Sequence, residues 1–248
     1  MKKTAQRVGL ARALSKLGYC SRSQAAELIQ DAQVRLNGKI CLNPETPTSL
    51  LKDRIEVRDR RIFGAEKVYF MLNKPRGIVT TASDEKNREI VYNLLPKDLP
   101  WVAPVGRLDK ASEGLLLLTN DSAWADRITS PGTHLEKTYH VQVDTVASTG
   151  LLNSMMEGKL CGSEILKVKK SRLLRSGKSN SWIEVVLDEG RNRHIRRLLE
   201  ELDVSVLRLV RVAIGSLPLG ELAKGKFRAL TLKEKKSIDR EIQSNEKP

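Results

Sequence analysis

The chain has 248 residues, 40% of them hydrophobic, which is enough for more than one compact unit with its own core. Its formal net charge of +14 points to a nucleic acid partner, because Lys and Arg gain counterion-release free energy on a polyphosphate. Three scattered cysteines (Cys20, Cys41, Cys161) and three histidines without ligand spacing argue against a disulfide framework and a metal enzyme. With no signal-type or bilayer-length apolar run, the expectation is a monomeric cytoplasmic protein that uses no metal and contacts no membrane.

In chain order, "VGLARALSKL" (8–17) has helical spacing and is stopped by Gly18. Ser21 caps a second helix over "RSQAAELIQDA". "VRLNGKICL" alternates around Asn37-Gly38, a strong two-residue hairpin signal. Two helices and a hairpin therefore form a first module, and the charged stretch at 53–67 marks a boundary, with units 1–60 and 61–248. Residues 1–60 carry 12 basic and 6 acidic side chains, and the rest carry 32 and 24, so both units are basic.

Beyond the boundary, "KVYFMLNKP", "IVTT", "WVAPVGRL" and "GLLLLTN" read as strands, "REIVYNLL" and "SAWADRI" as helices, and "EKTYHVQV" as an alternating strand. Further strands are expected near 165–174, 181–188, 204–214 and 227–231. A charged helix, "LKEKKSIDREIQ", follows them. Strands and helices without strict βαβ repetition indicate an α+β fold with a mixed, largely antiparallel sheet.

In "DEGRNRHIRRLLEELDVSVLRLVRV" (188–212), Ile195, Leu198, Leu199 and Leu202 share one helix face. Arg193, Arg197 and Glu200 point away from it, and His194 and Arg196 lie on the borders. A border arginine directed into a cleft needs a carboxylate or phosphate partner, because an unpaired buried charge is costly. Asp109, in "GRLDKASEGLLLLTND", ends an apolar run. No nucleophile elbow, phosphate-cradling loop or dinucleotide fingerprint surrounds it, which leaves either a capping carboxylate or a working acid. Aromatic residues make up only 4% of the chain, so Tyr139 in "EKTYHV" is one of few rings able to stack on a base.

Together "GRLDKASEGLLLLTND", "EKTYHV", "DEGRNRHIRRLLE" and "RLVRVAIGSLPLGELAKGKFRALT" resemble the bacterial ribosomal-RNA pseudouridine synthases of the RsuA/RluB group. The first module resembles the small RNA-binding domain of ribosomal protein S-four. The likeness spans roughly residues 6–235. It implies isomerisation of uridine to pseudouridine in ribosomal RNA, with large-subunit RNA favoured and no cofactor. By the same resemblance Asp109 is the catalytic aspartate, Arg196 the basic residue that pairs with it, and Tyr139 the ring against the target base. Arg107 would enter the RNA and help evert the uridine, with Arg22, Arg193, His194 and Arg197 as further RNA contacts. Ser23 and His194 depart from the residues most common in relatives. Two rival readings are a non-catalytic ribosome assembly factor and a glycosidase with Glu113 as second carboxylate.

Overall fold

The computed structural model describes residues 7–82, 88–96 and 98–246. It divides into two compact units: Met1–Tyr69 with Leu95–Ala103 and Leu118–Ala123, and Phe70–Leu94 with Pro104–Leu117 and Trp124–Pro248.

In the first unit, β1 (Val8–Gly9) leads into α1 (Leu10–Lys16) and α2 (Arg22–Gln30). Ser21 caps α2 reciprocally: its hydroxyl accepts from the Gln24 amide, and the Gln24 side chain accepts from the Ser21 amide. β2 (Val34–Leu36) and β3 (Lys39–Ile40) are joined at Asn37-Gly38, both at positive φ as the tight hairpin requires. β4 (Pro47–Thr48) pairs with β1, and β5 (Ile55–Val57) and β6 (Arg60–Arg61) complete a sheet in the order β3-β2-β5-β6. Leu10, Leu14, Ala25, Ile29, Val34, Ile55 and Val57 form its core. Each fully buried aliphatic side chain contributes about 1.5–3 kcal/mol.

The remaining chain builds a nine-stranded sheet. Its strands are β7 (Tyr69–Lys74), β8 (Ala103–Val105), β9 (Glu113–Thr119), β10 (Lys137–Val143), then, after the small β11 (Lys159–Cys161) and β12 (Glu164–Leu166) hairpin, β13 (Lys170–Ser176), β14 (Ser181–Leu187), β15 (Val206–Ile214), β16 (Leu217–Pro218) and β17 (Phe227–Ala229). The main order is β13-β14-β10-β15-β9-β7-β17. β10 pairs antiparallel with β14 and β15, whereas β9 meets β15 in parallel. Leu115, Leu116, Leu117 and Leu118 are all fully buried, as expected of a central strand covered on both faces. Gly114 opens this strand at φ +100°, with the Arg211 backbone where a Cβ would stand, so glycine is required there.

Helices α3 (Ser122–Thr129), α4 (Thr149–Glu157), α5 (His194–Glu200) and α6 (Leu232–Asn245) complete the chain. Ile195, Leu198 and Leu199 of α5 pack with Val141, Ile183, Val185 and Leu187 of β10 and β14.

Three readings need correction. The "IVTT" segment contributes only an isolated bridge from Val79 to Ile90, and "REIVYNLL" yields one short 3-10 turn, Val91–Leu94. Periodicity assigns no element to 149–157, where α4 buries only Met155 completely and carries a glycine in its first turn, so its apolar signal is weak.

Candidate active site

Asp109 lies in the loop between β8 and β9, and every main-chain carbonyl from Leu108 to Ser112 is held. Thr80 Oγ1 donates to the Leu108 carbonyl at 2.8 Å. Lys74 Nζ donates to Asp109 at 3.2 Å and Ser112 at 2.8 Å. The Gly77 amide donates to Lys110 at 2.8 Å, and Arg196 Nη2 to Ala111 at 3.1 Å. The Ser112 amide returns to the Asp109 carbonyl at 2.9 Å. A loop whose backbone is held at five consecutive positions fixes where the Asp109 side chain begins.

Lys74 is fully buried at the end of β7. Burial pulls its ammonium down to about 8, while Asp109 and Glu113 act to raise it.

A cavity of about 320 Å³ opens beside this loop, a volume suited to a small-molecule group. Arg107 and Asp109 line it from the loop, Tyr139 and Lys137 from β10, Arg211 from β15, and Arg193 and His194 from the start of α5. Tyr139 and Arg211 are direct partners across β10 and β15. Lys137, two residues before Tyr139, shares its side of the strand. The tyrosine is half-buried against the core.

The structure thus brings Asp109, Tyr139, Arg107, Arg193 and His194 to one cavity, and sets Arg196 beside the Asp109 loop. The expected ion pair between Asp109 and Arg196 is not closed: among the described residues no carboxylate lies within 4.0 Å of Arg196. Its guanidinium holds the carbonyls of Ala111 and, at 3.4 Å, Val206, while Nε is buried without a partner. Burial lowers its pKa first, and Arg193 adds to that, whereas Asp109 opposes it. The guanidinium nonetheless stays charged. The link to the acid therefore runs through the backbone and through a field acting beyond contact distance.

Arg197 is not the solvated side chain that its helix position suggests. It pairs with Glu164 at 2.6 Å and donates to the Cys161 carbonyl at 2.6 Å, fastening α5 to the β11–β12 hairpin. His194 is 3% exposed, and its Nε2 lies 3.0 Å from the Lys167 carbonyl. Because a carbonyl only accepts, Nε2 carries the hydrogen, and burial lowers the ring's pKa. Arg22 is exposed at the first position of α2.

Glu113 is not a second working acid. Burial raises its pKa, but hydrogen bonds from Arg208 (3.0 and 3.1 Å) and Lys224 (2.6 Å) outweigh this and leave it lowered. The carboxylate is buried and occupied, which removes the basis for a carboxylate-pair glycosidase.

Lys74, Lys137 and Arg211 escape the sequence reading. Lys137 had a signal, since strand alternation puts it on the side of Tyr139. Lys74 and Arg211 depend on contacts with residues distant in the chain.

Residues 68–201 match the RNA pseudouridylate synthase family, and residues 8–53 match the S4 domain. An uncharacterized RNA pseudouridine synthase of Rickettsia typhi is 38% identical, over 92% of this chain and 94% of its own. The ribosomal large subunit pseudouridine synthase B of Bacillus subtilis is 34% identical, over 92% of this chain and 94% of its own. Among solved structures, a pseudouridylate synthase is similar with a TM-score of 0.66 at 32% identity, covering 94% of this chain and 99% of that one.

Proposed function

Because this chain belongs to the RNA pseudouridylate synthase family and carries an S4 domain, we propose that it converts a uridine of ribosomal RNA to pseudouridine at Asp109, without a cofactor or metal. Large-subunit RNA is the favoured substrate, in keeping with the Bacillus subtilis relative. The observation that carries this reading is the loop around Asp109. Five consecutive carbonyls are held, and Asp109, the second residue of this run, lines a cavity that it shares with Tyr139.

An acid that must meet one ribose carbon gains from such a mount, since a misplacement of about 1 Å can cost on the order of a hundredfold in rate. Tyr139 covers the everted base, and Arg107, exposed on the same loop, enters the space that the uridine leaves. The charge of Arg196 acts on Asp109 from beyond contact distance and leaves the carboxylate oxygens unoccupied. Arg193, exposed at the rim, contacts a phosphate. Residues 1–60, with Arg22 on an open helix start, anchor the RNA by its backbone. His194 and Arg197 support this surface from beneath.

The direct test is incubation of the purified monomeric protein with ribosomal RNA transcripts, followed by pseudouridine mapping. Formation at one defined position supports the reading. RNA binding without any product would instead indicate an assembly factor.

A further inference from the structure

Two cations in the cavity have no part in the scheme above. Arg211 is 5% exposed. Its Nε donates to the Leu115 carbonyl at 2.7 Å, while Nη2 is buried without a hydrogen-bond partner. Lys137 is 9% exposed, and among the described residues its ammonium has no carboxylate within 4.0 Å. Both line the cavity with Asp109 and Tyr139. Tyr139 opposes Arg211 across the strands, and Lys137 precedes it on the same side. Burying two cations side by side is costly; Asp188 offsets part of that cost at Lys137 while Arg211 adds to it, and with no carboxylate in contact both charges are available to an anion in the cavity.

We infer that Lys137 and Arg211 are catalytic residues that hold the uracil ring as its anion once it has left the ribose. This rests on the isomerase reading. When the C1′–N1 bond breaks, its electron pair remains on N1, and the positive charge left on the sugar faces the Asp109 carboxylate. The negative charge of the base spreads over N1, O2 and O4, and the carbonyl oxygens are the atoms a guanidinium and an ammonium would meet. The ring then turns beneath Tyr139. C5 supplies the electron pair for the new bond to C1′ and gives up its proton, and N1 gains one, so that product and substrate are isomers. Neutral uracil presents the same two oxygens with less charge. The two cations therefore bind the detached base more strongly than the intact nucleotide, which is the differential that accelerates a reaction.

The experiment uses the full chain and ribosomal RNA transcripts carrying tritium at uracil C5, with single-turnover tritium release and RNA affinity measured separately. Lys137→Met and Arg211→Gln are expected to slow release on the order of a hundredfold while leaving RNA affinity unchanged. Lys137→Arg and Arg211→Lys retain most of the rate. A second measurement needs no variant. Barbiturate, a uracil-like ring that is anionic at neutral pH, should bind the wild-type protein at least about tenfold more tightly than neutral uracil.

Neutral variants as fast as wild type, charge-preserving variants as slow as neutral ones, or equal binding of the two rings would each overturn the inference. A wild-type protein that releases no tritium sinks the isomerase reading itself. One that releases tritium yet fails these comparisons sinks only the role of the two cations.

Discussion

Lys74 and Asp109 meet through the main chain: the buried ammonium lies 3.2 Å from the Asp109 carbonyl oxygen, and the same nitrogen holds the carbonyls of Pro75 and Ser112. The lysine is a mount for the loop. Lys74→Met removes a donor from three carbonyls; that of Asp109 keeps the Ser112 amide, so the loss falls on Pro75 and Ser112, and each buried acceptor left unpaired costs about 1–3 kcal/mol. Removal of a buried charge offsets part of that, so a net loss of about 1–3 kcal/mol is expected in denaturant unfolding. The rate on RNA falls as well, because the loop is no longer fixed. A variant with unchanged stability and full activity would show that the remaining bonds suffice.

Asp109→Asn keeps the shape of the side chain and removes its charge. None of the five carbonyl contacts uses the carboxylate, so the fold and RNA affinity persist while product formation ceases. Mass spectrometry of digested ribosomal RNA after incubation with the variant checks this, and retained pseudouridine would refute the assignment of the acid.

Activity and stability respond to alkali with opposite signs. Burial lowers both Lys74 and Lys137 to about 8, below the value of about 10.4 expected in the unfolded chain. Below pH 8 both states are protonated and the desolvation penalty is fully present. As pH rises through about 8 the folded state sheds protons that the unfolded state keeps, so stability increases. Activity falls over the same interval if the Lys137 charge is required. Above pH 9 the Cys20 thiol, raised by burial from 9.0 to about 11 in the folded chain, ionises first in the unfolded state and opposes this trend, but one thiol offsets only part of the gain from two lysines. Rate profiles and melting temperatures between pH 7 and 9 test both signs, and Lys137→Arg should move the alkaline limb of the rate upward.

Arg22 is exposed at the start of α2 and, among the described residues, forms no salt bridge. If it neutralises one phosphate, Arg22→Ala lowers the slope of log affinity against log salt by about 0.7–0.9. Catalysis at saturating RNA stays unchanged. An unaltered slope would remove this arginine from the RNA surface.

The local signals held where the cause was local. The Ser21 cap and the Asn37-Gly38 hairpin involve groups a few residues apart, and the structure has both. The leucine run of β9 reads as a central strand because every side chain is apolar, whichever face it takes. Helix α4 and the "IVTT" segment are not legible from periodicity, because a single fully buried residue or a lone bridge leaves little periodic trace.

By itself the sequence determined a basic protein with two modules, their order, and the motifs that place Asp109, Tyr139 and Arg196 in one family pattern. Only the tertiary structure decided what each charge touches. Arg196 binds the Ala111 carbonyl 85 residues away rather than closing on the acid, Arg197 is consumed by Glu164, and Arg211 reaches Leu115 across 96 residues. Periodicity reports which face a side chain takes within its own element. The partner of a buried charge is chosen by strand order and loop closure between distant segments, and no spacing along the chain encodes that choice.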